Sequence, residues 1–178
     1  SIETFDYFLP TRVIFGCGTI GKVGQHSRRL GKKALIVTGR HSTKKTGLLD
    51  KVIGLLKEEG ISSVVFDEIV PNPLSTSIDR GASIAVKERC DFIIGLGGGS
   101  PIDSSKLIAL VAKDGGKCWD YTGAGGGRKP KAALPVIAIP TTHGTGTEAD
   151  PFAVVTNPET NEKIGVGFDE IFPAVSIV

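Results

Sequence analysis

Two stretches of this sequence bring backbone amides and hydroxyls together in a way that suits an anion. The first, GLGGGSPID, covers residues 95–103. Gly95, Gly97, Gly98 and Gly99 lead out of an apolar run and into a helical pattern. Glycine lets the main chain approach a ligand closely. A helix N-terminus adds unpaired N–H groups and partial positive charge, which suits a pyrophosphate. Ser100-Pro101-Ile102-Asp103 has the form of a capped helix start, with Ser100 at the N-cap, Pro101 at N1 and Asp103 as the N3 acid. The spacing matches neither of two common fingerprints. A dinucleotide GxGxxG needs glycine at position 100 and sits after the first strand of a βαβ unit, and a phosphate loop ends in GK[ST]. Alone, the stretch reads equally well as a capped helix after a tight turn, with no ligand.

The second stretch, PTTHGTGTE at residues 140–148, ends another apolar run. Thr141, Thr142, Thr145 and Thr147 offer hydroxyls that both donate and accept, on a chain kept pliable by Gly144 and Gly146. Such a loop suits phosphate, ribose or amide groups, and composition also allows a solvated polar loop. His143 has no carboxylate or cysteine partner in view, so it is assigned to the lining of the site and not to catalysis.

The elements that position these loops follow from periodicity. Residues 11–15, 34–38, 63–66, 92–94, 134–139 and 174–178 read as strands, and 153–156 with 163–168 as a hairpin. Residues 20–30, 46–59, 75–89 and 101–112 read as helices, with Ser75 as an N-cap. Residues 118–130 read as a Gly-rich loop. Alternating strands and helices predict an α/β, Rossmann-like, mostly parallel sheet with helices on both faces, plus the hairpin. Ligands of such folds bind beyond the carboxyl ends of the strands, at the topological switch point. The loops at 39–43, 71–73, 95–100 and 140–148 all follow strands and therefore open on one edge. No repeat or linker interrupts the pattern, so residues 1–178 are expected to form one domain.

Composition narrows the function. A formal charge of +2 and the lack of any block of five like charges argue against nucleic acid. No apolar run approaches a membrane span and no signal peptide is visible, so a soluble, cytoplasmic protein without a membrane partner is expected. Cys17, Cys90 and Cys118 are far apart and in no CxxC arrangement. They are expected to be buried or half-buried thiols of a reducing compartment, neither disulfide nor metal site.

GGGSPID (97–103), TTHGTGTE (141–148), PTRVIFG (10–16) and PNP (71–73) together resemble the iron-containing, or group III, alcohol dehydrogenases over essentially the whole chain. The resemblance implies a nicotinamide-dependent oxidoreductase acting on a small-molecule alcohol, aldehyde or ketone. It also implies an N-terminal dinucleotide domain and a C-terminal helical domain, with Fe²⁺ or Zn²⁺ held by one Asp and three His. By match, Gly97, Gly98, Gly99 and Ser100 would meet the pyrophosphate, and Asp103 the nicotinamide-side ribose. Thr141, Thr142 and Thr145 would meet adenosine and pyrophosphate, and Asn72 and Lys163 the ribose and adenine portions. Family members often dimerise through the N-terminal strand, so a homodimer through residues 11–15 is a further expectation.

Two departures qualify the match. The family's metal-binding Asp normally follows a strand such as Pro-Ala-Val-Ser-Ile-Val, where this sequence stops at Val178. His26, His41 and His143 match none of its metal-binding histidines. The chain is therefore expected to be the dinucleotide-binding domain, inactive alone, with the metal present only in the full-length enzyme. No residue is assigned a catalytic or metal-binding role. Second, Gly39-Arg40-His41-Ser42 stands where many NAD-preferring members carry an Asp that binds the adenosine 2′-hydroxyl. Without that acid, Arg40 and Ser42 are free to bind a 2′-phosphate, which predicts NADP over the alternative, NAD. A polyol-phosphate dehydrogenase or a dehydroquinate-synthase-like enzyme fits less well. A dinucleotide-binding fragment without catalysis is the non-enzyme alternative.

Overall fold

The computed structural model describes residues 4–178. Its strands are β1 (Arg12–Ile14), β2 (Lys33–Gly39), β3 (Ser62–Ile69), β4 (Phe92–Gly97), β5 (Val136–Pro140), β6 (Phe152–Thr156), β7 (Lys163–Gly167) and β8 (Val175–Ile177). The helices are α1 (Val23–Ser27), α2 (Ser42–Lys45), α3 (Leu48–Glu58), α4 (Ser75–Lys87) and α5 (Gly99–Asp114), with short 3₁₀ turns between elements. Six strands form a parallel sheet in the order β1-β8-β5-β4-β2-β3, and β6 and β7 form a separate antiparallel hairpin. This is the expected α/β architecture.

Alternation within the central strands divides the apolar side chains between two faces. Ala34 and Ile36 of β2 and Phe92, Ile94 and Leu96 of β4 pack with Leu49, Val52 and Leu56 of α3 and Val23 of α1. Leu35, Val37 and Ile93 point the other way, toward Ile78 and Ala82 of α4, Leu107 and Ile108 of α5, and Ala153 and Val155 of the hairpin. With both faces covered, β2 and β4 read as continuous apolar runs, as parallel strands do.

The boundaries differ from expectation where pairing or packing overrides local signals. Gly95 and Gly97 belong to β4, and not to a turn, because they pair with Val37, Ala138 and Pro140. The strand-to-helix turn is thereby reduced to Gly98. Helix α5 begins at Gly99 with Gly98 as N-cap, so Ser100 does not cap it and Asp103 lies past the first turn. Likewise Leu74, not Ser75, is the N-cap of α4. The region 20–30 divides into a 3₁₀ turn (Thr19–Lys22) and the five-residue α1. There a Cβ on Gly24 would lie 2.5 Å from the Leu55 carbonyl oxygen, so the two backbones approach closely. A left-handed Gly47 (φ 71°) separates α2 from α3. The loop from residue 118 opens with a 3₁₀ turn (Cys118–Tyr121). Cys90 and Cys118 are buried as expected, whereas Cys17 is exposed on the turn after β1. Among the described residues no helix is long and apolar enough to cross a membrane.

The approach of α5 to β4 is equally close. A Cβ on Gly95 would meet Ser105 Oγ at 2.5 Å and Ile102 Cα at 3.0 Å. Gly95→Ala is therefore expected to destabilise the chain by about 1–3 kcal/mol, the usual cost of overpacking. Urea unfolding should show a lower midpoint with an unchanged m-value.

Candidate functional site

From β2 the chain crosses outward to β3, and from β4 it crosses the opposite way to β5. The switch point thus falls between the adjacent carboxyl ends of β2 and β4. A cleft of about 520 Å³ opens there. Gly39, Arg40, His41 and Ser42 line it after β2, and Ile69, Val70 and Pro71 after β3. Gly97, Gly98, Gly99, Ser100 and Pro101 line it after β4, and Thr142 after β5. Eight residues expected from the sequence to bind the cofactor (Gly39, Arg40, Ser42, Gly97, Gly98, Gly99, Ser100 and Thr142) share this cleft.

The other five lie around it. Thr141 borders an adjoining cavity of about 430 Å³ that also includes Ser42. Its amide donates to the Gly97 carbonyl at 2.8 Å, tying the loop after β5 to the end of β4. Thr145 and Asp103 line a smaller cavity of about 240 Å³. Gly99 lines both this cavity and the main cleft, so the two meet at the start of α5. Asn72 and Lys163 are joined by a 2.7 Å hydrogen bond from the ammonium to the amide oxygen, at the turn end of the hairpin. Asn72 adopts a left-handed conformation (φ 57°) that asparagine tolerates better than most residues.

The glycines matter here for space. Gly97 (φ 140°) occupies a conformation unfavourable to other residues, and a Cβ on Gly99 would lie 3.1 Å from the Thr145 methyl. A bare backbone lets the β4 and β5 loops close on each other while the first amides of α5 face the cleft. Among the described residues no side chain caps those amides. At the other end, the buried Thr38 hydroxyl donates to the Leu96 carbonyl and pairs with Thr43, both at 2.8 Å. This fixes the segment carrying Arg40. The nearby Asp67 carboxylate is paired with the Lys44 ammonium, which holds it below its ordinary range with a smaller contribution from Arg40.

Behind the small cavity lies a polar cluster that sequence reading missed. The fully buried Lys106 ammonium directs its three N–H groups at four acceptors, one of them shared: Thr147 Oγ1 (2.8 Å), the Asp150 carbonyl and carboxylate (both 2.9 Å) and the Phe152 carbonyl (2.8 Å). The Thr147 hydroxyl donates onward to Asp103 Oδ1 at 2.5 Å, and the Val154 amide donates to Asp103 Oδ2 at 3.0 Å. Burial pushes the Lys106 ammonium down and the Asp103 carboxyl up, and their hydrogen-bond partners oppose both shifts. The available signal was a lysine directly before the apolar run 107–112, in a helix with no clear polar face to put it on. Asp103 itself is not the expected capping acid.

Among the described residues no group of three or more His, Cys, Asp or Glu side chains is arranged to hold a metal ion. His41 lines the main cleft, while His26 lies on α1 and His143 on the exposed loop after β5.

The sequence model of the iron-containing alcohol dehydrogenases matches residues 10–178. The chain is 38% identical to NADH-dependent butanol dehydrogenase A of Clostridium acetobutylicum, covering 98% of this chain and 44% of that enzyme. It is also 38% identical to the NAD-dependent methanol dehydrogenase of Bacillus methanolicus, covering 97% and 45% respectively. The crystal structure of an NADH-dependent butanol dehydrogenase A from Thermotoga maritima superposes with a TM-score of 0.93 at 38% identity, over 98% of this chain and 44% of that one. An archaeal alcohol dehydrogenase from a Red Sea brine pool gives 0.91 at 41% identity, over 100% and 46%. The chain thus spans a little under half the length of these relatives.

The buried ammonium makes a prediction of its own. Asp150→Ala should lower stability by about 3 kcal/mol, near the lower end for breaking a buried pair, because 32% of the Asp150 side chain still meets solvent. Chemical denaturation checks this, and Asp150→Asn, which keeps an acceptor, should cost less.

Proposed function

We propose a function from one premise: the chain belongs to the iron-containing alcohol dehydrogenase family. It supplies the dinucleotide-binding part of an enzyme that transfers a hydride between a nicotinamide cofactor and a small alcohol or aldehyde. The observation that carries this reading is the cleft at the switch point, where glycine backbone and the start of α5 face residues at the ends of β2, β3 and β5. In the proposed placement, Gly97, Gly98, Gly99 and Ser100 bind the pyrophosphate through backbone amides. Adenosine lies toward Gly39, Arg40, Ser42 and Pro71, with Asn72 and Lys163 at its outer edge. The nicotinamide half continues past Gly99 toward Asp103, with Thr141, Thr142 and Thr145 on the adenosine and pyrophosphate.

The bare Gly97 and Gly99 leave the backbone approach that such a cofactor needs. When bound, the dinucleotide supplies hydride chemistry at its nicotinamide ring, and this chain binds and orients it. The family's metal, Fe²⁺ or Zn²⁺, finds no fitting ligand set among the described residues. We therefore propose that this chain binds cofactor without turning over alcohols or aldehydes. Pairing with a second copy is supported by β1, an edge strand whose Val13 is 45% exposed and is followed by Phe15 at 82%.

Cofactor choice turns on the end of β2. Relatives named as NADH- or NAD-dependent make NAD the coarser expectation. Arg40 and Ser42 favour NADP, since among the described residues no carboxylate lines the cleft and the nearby Asp67 is already paired with Lys44. Fluorescence titration should therefore show tighter binding of NADPH than of NADH. Arg40→Ala should weaken NADPH by roughly 10- to 100-fold, the worth of a charge-assisted hydrogen bond, and NADH by less than about threefold. Tighter NADH binding by the parent chain would overturn the NADP assignment.

A further inference from the structure

Building on that cofactor placement, we infer that Lys106 is a positioning residue. It fixes Asp103 and the segment following the β5 loop, and so governs how well the nicotinamide half is held, without itself touching the cofactor. All four of its acceptors belong to Thr147, Asp150 and Phe152, the connection that leads from the β5 loop into β6. One helical side chain thus clamps the whole connection to α5.

The chemistry of the donors gives this clamp a direction. An ammonium only donates, so the Thr147 oxygen must accept from Lys106. An ionised carboxylate only accepts, so the Thr147 proton points at Asp103 Oδ1, 2.5 Å away. With the Val154 amide on its second oxygen, Asp103 is held from two sides. Asp103 and Thr147 line the cavity that opens from Gly99, while Lys106 lies behind them and is not among its lining residues. The ionisable groups around Lys106 are Asp150, Asp103 and Glu148, all acidic.

A purely structural role predicts a different outcome from a positioning role. An apolar side chain at position 106 would avoid the desolvation cost of a buried charge but leave Thr147 without an orienting donor. The decisive comparison uses two probes: NADPH or NADH, and the corresponding fragment without nicotinamide (2′-phospho-ADP-ribose or ADP-ribose). Lys106→Met and Thr147→Val are expected to weaken the dinucleotide at least tenfold and the fragment less than threefold. Thr147→Ser, which restores the hydroxyl, should recover most of the loss. If Lys106→Met does not fold, the Thr147 pair decides alone. Equal losses for both probes, or a lower melting temperature with unchanged binding, would overturn the positioning role and leave the cofactor placement intact. If the parent chain binds neither probe, the placement itself falls, and this inference with it.

Discussion

The closeness of α5 to β4 constrains everything else in this molecule. Gly95 has no side chain because the helix occupies the space where one would be, with Ser105 and Ile102 against the strand. Only one residue, Gly98, turns the chain between strand and helix, so the first amides of α5 have little freedom relative to the sheet. The helix is then buried on almost every side, by β4 beneath it, α4 beside it and the hairpin above. Gly81 of α4 serves the same end, since a Cβ there would lie 2.5 Å from Ile108 Cδ1. An anion site made of backbone amides is only as well placed as the helix that carries it. Here the helix is fixed by packing that is independent of any ligand.

Burial that complete makes the polar residues of α5 costly unless they find partners. Lys106 finds four acceptors and Asp103 two donors, all from the chain between Thr147 and Val154. The polar needs of the helix and the irregular path of the β5–β6 connection therefore satisfy each other. The regular structure of that connection is one short 3₁₀ turn (Thr147–Ala149), and without it the lysine would be an uncompensated buried charge. The same exchange of bonds brings the hairpin onto the sheet, where Ala153 and Val155 join the core.

Much of this was legible in the sequence. Apolar runs such as ALIVT marked buried parallel strands, and the glycine and threonine loops pointed to the edge that carries the cleft. What was not legible depended on contacts distant in sequence. Gly95 and Gly97 read locally as a turn, but pairing with β2 and β5 extends β4 through both. Ser100 looked like an N-cap because capping is judged from neighbours. The helix in fact starts two residues earlier, at Gly99, and leaves that serine inside its first turn. Asp103 looked like a capping acid for the same reason. Its partners Thr147 and Val154 lie 44 and 51 residues away, beyond any periodicity or motif. Cys17 was expected to be at least half-buried, yet the turn after an edge strand has nothing to cover it.

The two ends of the cleft obey different physics. On the side of Asp103, geometry is set by a buried network, so a change there alters packing, charge balance and loop path together. On the side of Arg40, the backbone is anchored by Thr38 and Thr43 in the interior, while the side chains reach outward into solvent. A charge at the end of β2 is consequently replaceable with little effect on folding, and so is the paired Asp67 beside it. In a solvent-screened setting such charges add little to stability. They become effective only when a ligand phosphate brings a complementary charge within hydrogen-bond distance. In the proposed placement, cofactor choice can therefore change at the end of β2 while the cradle and the clamp behind it stay the same. On that proposal, a single arginine at position 40 alters which dinucleotide is preferred without altering where it sits.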